Sequence, residues 1–121
     1  MNPARDEVVV LARGGLADES GLLALRVALA IPLGGARVRL LLAGPASMLG
    51  LARALELGAR GSQLDRELDS LLNDEEAPVG VERESLAELG LSDRELRPGV
   101  DPISRAELED ACGRARHCLV I

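Results

Sequence analysis

The 121-residue chain contains no phenylalanine, tryptophan or tyrosine. Its core must therefore be packed from Leu, Val, Ile, Ala and Met. It has no lysine either, so all 14 basic residues are arginine. Both biases fit a GC-rich genome. With no aromatic ring to stack on bases, no basic stripe and a net charge of −6, the composition argues against nucleic-acid binding. There is one histidine, His117, and there are two cysteines, Cys112 and Cys118. Their spacing matches no zinc pattern, so neither a metal nor a cofactor is expected.

Long hydrophobic runs are also missing. The longest, residues 22–33, is interrupted by Arg26 and Pro32 and is too short to cross a bilayer. No membrane association is expected. The opening MNPARDEVVV has a charge cluster followed by a strand-like run, without the apolar region or cleavage site of a signal peptide. A cytoplasmic location is the expectation.

What is present is 47% apolar, enough for one compact domain spanning residues 1–121. Residues 7–12 (EVVVLA) form a continuous apolar run, as in a strand buried on both faces. Asp18, Glu19 and Ser20 then open a helix to about Ile31, and Pro32 with Gly34-Gly35 stops it. Residues 36–43 read as a second strand, followed by the Gly44-Pro45 turn and a helix to about Leu57. Gly58 to Gly61 read as a break, with Ser62 capping a helix over 63–72 and an acidic loop over 73–77. Residues 78–82 form a third strand leading into a helix that ends at Gly90. Ser92 with Glu95 fits a capping box for a short turn, and 100–103 is a weak fourth strand. Ser104 with Glu107 is a second capping box, opening a helix to about Arg114, and 118–121 is a fifth strand. This alternation predicts an α/β fold with a mostly parallel sheet of about five strands and helices on both faces.

All strands of such a sheet end at one edge, where ligands usually bind. Three segments meet there: Arg13-Gly14-Gly15, Gly44-Pro45-Ala46-Ser47 and Glu82-Arg83-Glu84-Ser85. The first two read as ordinary tight turns, with anion binding by free backbone N–H groups open as an alternative. Glu82 and Glu84 read as the acidic start of a helix, or as an acid/base pair. Cys112, near the end of the last helix, is expected toward the opposite edge. Cys118 is expected to be a buried, unreactive thiol in the last strand.

The stretches EVVVLARGGLADESGLLALRVALAIPLGGARVRLLLAGPASML, VGVERESLAELGLSDREL and VDPISRAELEDACGRARHCLVI, in that order, resemble the DsrE/DsrF/DsrH-like family, which includes the Tus sulfur-relay subunits. The resemblance covers nearly the whole length. It implies a three-layer α/β/α domain with a parallel sheet and assembly as dimers, trimers or hexamers. It also implies, for some members, a persulfide carried on a cysteine just after the third strand. Glu82 occupies that position here, aligned through Ser85-Leu86 and Gly90-Leu91. Other subunits of these assemblies also lack the cysteine and serve as structural partners.

The leading expectation is accordingly a non-catalytic assembly or binding subunit linked to intracellular sulfur relay. One alternative is an active sulfurtransferase or persulfide carrier using Cys112 or Cys118. Another is a small-anion-binding enzyme whose ligand site draws on Arg13, Gly14, Gly15, Gly44, Ser47, Glu82, Arg83 and Ser85. A homo-oligomer, or a hetero-complex with DsrE-like paralogues, is expected because the LLALRVALAI helix carries only Arg26 as a charge.

Overall fold

A computed structural model describes residues 7–14, 20–52 and 58–121. Five strands, β1 (Glu7–Ala12), β2 (Arg37–Leu42), β3 (Val79–Glu82), β4 (Val100–Ile103) and β5 (His117–Val120), form one sheet in the order β4-β3-β2-β1-β5. Every neighbouring pair is parallel. The helices are α1 (Ser20–Ala30), α2 (Gly58–Asp69), α3 (Arg83–Glu88) and α4 (Arg105–Arg114). The result is a three-layer α/β/α arrangement.

The strand order dictates where the helices go. From β1 to β4 the chain steps across the sheet in one direction, and right-handed crossovers put α1, α2 and α3 on one face. From β4 to β5 it returns across the whole sheet, so the same handedness puts α4 on the other face. The pleat turns Val10 and Ala12 of β1 to the first face and Val9 and Leu11 to the second. Leu25, Leu49, Leu64, Leu68 and Leu86 pack against the first face with Val10, Leu40 and Leu42. The second face has a much smaller cluster, Val9, Leu11, Leu41, Ala43 and Leu108. Among the described residues, only α4 and its C-terminal turn cover it, through Leu108, Ala111, Cys112 and Ala115. Beyond that cover the face turns polar, where Glu7 and Arg39 pair at 3.0 Å.

Several expected boundaries shift. The Gly44-Pro45 turn opens a 3-10 segment, Gly44–Gly50, rather than a helix reaching residue 57. It stops because Leu51 extends to bridge Leu96, while Gly50 accepts a hydrogen bond from the Arg97 N–H at 2.8 Å. Residues 53–57 lie outside the described residues, as do Asp18 and Glu19. Gly58 to Gly61 are helical, and Ser62 lies inside α2 rather than capping it. Burial of Leu64, Leu68 and Leu71 against α1 and the sheet outweighs the poor helix propensity of the glycines. Ser92 and Asp93 make a turn without a helix, whereas Ser104 and Glu107 form the full capping box. At the edges of the sheet, β4 includes Pro102, and β5 is exposed along most of its length.

The outer surface of α1 is narrower than its sequence suggests. Gly21, Ala24, Leu25 and Ala28 are buried, and Leu22, Val27 and Leu29 pack beside the core. Only Leu23, Arg26 and Ala30 face outward within the helix. Ala28 is 0% exposed while Leu23 is 53% exposed. Ala28→Glu should therefore destabilise the fold by about 3 kcal/mol or more, because it buries an unpaired charge. Leu23→Glu should leave stability within about 0.5 kcal/mol. Urea unfolding of the two variants measures both, and equal losses would contradict this packing.

Candidate functional site

The point where the chain reverses direction across a parallel sheet leaves a crevice at the strand ends. Here it lies between β3, whose helix lies on one face, and β4, whose helix lies on the other. Glu82, the last residue of β3, is paired in register with Ile103, the last residue of β4. α3 starts at Arg83 and α4 at Arg105, so both helix N-termini border the crevice.

Three carboxylates converge there on Arg105. Its guanidinium donates to Glu82 Oε1 at 2.9 Å and to Glu88 Oε1 at 3.1 Å. Its backbone N–H, one of the unsatisfied donors of the first turn of α4, donates to Glu84 Oε2 at 2.7 Å. Glu82 is buried, and the Ser85 hydroxyl donates to its Oε1 at 2.6 Å. Ser85 Oγ in turn accepts the Gly44 N–H at 2.8 Å. Gly44 has a φ of 54°, a backbone conformation that glycine adopts without strain. The end of β2, the start of α3 and the start of α4 are thus tied together through one serine and one glutamate.

The electrostatics follow from these contacts. The hydrogen bond from Arg105 is the largest influence and holds Glu82 below the usual carboxylate range. Burial opposes it, while Ser85 and the charge of Arg13 reinforce it. Glu82 first, and then Glu88, raise Arg105 above its ordinary value. Glu82 and Glu84 are therefore both engaged by Arg105, one through the guanidinium and the other through the backbone.

A groove of about 620 Å³ runs from this network along the flank of α4. Arg105, Leu108, Glu109 and Cys112 line it from the helix. Leu11, Arg13, Glu82, Cys118 and Val120 line it from the sheet side. The helix positions are spaced three, four and seven residues from Arg105, which is one face of a helix. The two cysteines line the same groove as Glu82, Cys112 two helical turns down α4 from Arg105 and Cys118 in register with Val9. α4 runs back down the sheet from Arg105, and the groove follows it to Cys112. Cys118 is half-buried, not fully buried, because β5 is an edge strand. Burial first, and then the neighbouring Cys118, push the Cys112 thiol up to about 12.

The other residues singled out from the sequence are scattered. Gly14 follows Arg13 at the end of β1, and Gly15 lies outside the described residues. The Gly44 N–H is taken by Ser85. Ser47 is fully buried, and its hydroxyl has no partner among the described residues. Arg83 points away from the groove, reaches Glu107 at 3.5 Å and lines a separate cavity with Arg94 and Pro102. Arg105 and Glu88, the centre and rim of the network, were not singled out. The signal for Arg105 was its place: first in a helix that must return across the far face, hence beside the end of β3.

Glu82→Gln should cost about 1–2 kcal/mol at pH 7. It weakens a charge-assisted hydrogen bond, and the half-exposed Arg105 can recover hydration. Because the folded-state value of Glu82 lies below its ordinary 4.5, its contribution is present above that pH. It is lost as pH falls through the depressed folded-state value. The gap between wild type and Glu82→Gln in urea unfolding should thus be full at neutral pH and close in acid. A gap that widens in acid would contradict the assignment.

No model of a known protein family matches the sequence, and no curated protein matches it. The fold is similar to that of the ychN protein from E. coli, a DsrE/DsrF-like fold protein seen in a crystal structure. The TM-score is 0.80 at 25% sequence identity, over 97% of this chain and 99% of that one. A match of nearly full length in both chains, with the five-stranded parallel sheet, supports the DsrE-like family for this protein.

Proposed function

We propose that this protein is a non-catalytic assembly or binding subunit linked to intracellular sulfur relay. One observation carries the reading. The position at the end of β3, where persulfide-carrying proteins of this type are expected to hold a cysteine, is occupied by a buried Glu82 bound to Arg105 and Ser85. A carboxylate holds no sulfane sulfur, and the network around it joins secondary-structure elements. Cys112, pushed up to about 12, is protonated at neutral pH and is a poor sulfur acceptor.

A persulfide carrier built on Cys112 or Cys118 is the second reading, favoured by their place in the groove beside Glu82. Intact mass after incubation with a cysteine desulfurase and cysteine separates the two. The expected result is no stable gain of sulfur. A gain of one sulfur atom, reversed by dithiothreitol and abolished by Cys112→Ser or Cys118→Ser, would overturn the non-catalytic reading.

The proposed subunit works as a homo-oligomer or in a hetero-complex with DsrE-like paralogues. Exposed Leu23 on the outer side of α1 and Leu33 in the turn after it support the first arrangement. Light scattering after size exclusion should give a mass above 12.7 kDa for the wild type and a smaller one for Leu23→Glu. A wild-type mass of 12.7 kDa that does not change with concentration would rule out self-association.

A further inference from the structure

The Glu82 network uses neither cysteine, yet both line the same groove. Cys112 comes from the third turn of α4 and Cys118 from β5, the next strand in the chain. Cys118 is paired in register with Val9, and both thiols pack against the small cluster of Val9, Leu11, Leu41, Ala43 and Leu108. They approach closely enough for Cys118 to perturb Cys112. Two half-buried thiols on consecutive elements, joined by a short turn, thus face one groove from its helix side and its sheet side and share one apolar cluster.

The groove also limits what can oxidise them. Arg13 and Glu109 line it without a close salt bridge among the described residues, although the charge of Arg13 also acts on Glu82. Arg105 and Glu88 stand at its upper end. A ligand matching these walls carries both carboxylate and ammonium groups. We propose that Cys112 and Cys118 are a dithiol–disulfide exchange site, and that its reaction partner is a small amphoteric disulfide of the glutathione type seated in this groove. The inference stands apart from the reading of Glu82, since it involves no sulfane sulfur.

The exchange balances without a further reactant. The Cys118 thiolate attacks one sulfur of the small disulfide, whose S–S bond breaks. One half leaves as a thiolate and takes up a proton, and Cys118 is left in a mixed disulfide. Cys112 then loses its proton and attacks the Cys118 sulfur, and the second half leaves as a thiol. Two protein thiols are oxidised to one disulfide, and one small disulfide is reduced to two thiols. Cys118 acts first because it lies on the mostly exposed edge strand β5, and Cys112 acts second because burial holds its thiol up.

The test is incubation of the reduced full chain with oxidised glutathione, read by intact mass and by alkylation of the remaining thiols. The expected product is a monomer lighter by two hydrogens with both cysteines protected. Cys112→Ser should stop at one glutathione on Cys118. The rate of the second step should rise about tenfold per pH unit between about pH 7 and 9, as thiolate forms. Arg13→Gln should slow the reaction with oxidised glutathione several-fold and leave that with neutral hydroxyethyl disulfide unchanged. A wild-type chain that keeps both thiols free, accumulates unresolved mixed disulfide, or forms only intermolecular bridges would overturn the exchange site. An equal effect of Arg13→Gln on both oxidants would overturn the ligand class.

Discussion

A parallel sheet needs apolar cover on both faces, and in this protein the order of the strands divides that cover unequally. Four strands are laid down in one direction, and their crossovers all fall on one side. A single ten-residue helix, α4, returns on the other. The thick side is built from many leucines, without one aromatic ring. The thin side has only a small cluster under α4. The crevice at β3 and β4, the groove along α4 and the polar margin at Glu7 and Arg39 all follow from that division.

The ties at the crevice compensate for the thin side. α4 has little apolar surface with which to grip the sheet, and Leu108 is its one buried residue. Its first turn is held by polar contacts instead: the Ser104–Glu107 capping box, Glu84 on the Arg105 N–H, and Glu82 and Glu88 on the Arg105 guanidinium. Glu82 serves two elements at once, since Ser85 on the same oxygen also holds the Gly44 turn after β2. A reactive group at this position would have to leave that network.

The fold was legible where local pattern and tertiary role agree. The run EVVVLA is buried on both sides and reads as a central strand, and the Ser104 capping box appears as written. Legibility failed where distant packing decided the outcome. Gly58 to Gly61 read as a break, yet they join a helix whose later turns are buried. The apolar look of CLVI suggests a buried strand, but strand order, which no local pattern encodes, puts it at the edge. The placement of the site suffered in the same way. Glu82, Ser85 and Gly44 could be found from strand-to-helix junctions. Arg105 and the convergence of Cys112 with Cys118 depend on α4 crossing the far face, which has no signature in residue spacing.

The two margins of the sheet differ in kind. β4 carries Pro102, which has no N–H, so one donor is missing from any ladder that would continue past it. Asp101 beside it adds a charge, and both are devices that blunt a free strand. β5 has neither proline nor acid, and it shows Leu119 and Val120, the latter 63% exposed. Natural sheets often guard such a margin with lysine, a residue this chain does not contain. Among the described residues, the sheet is therefore guarded against growth on one side and left extensible on the other, which gives strand exchange or misassembly a built-in polarity.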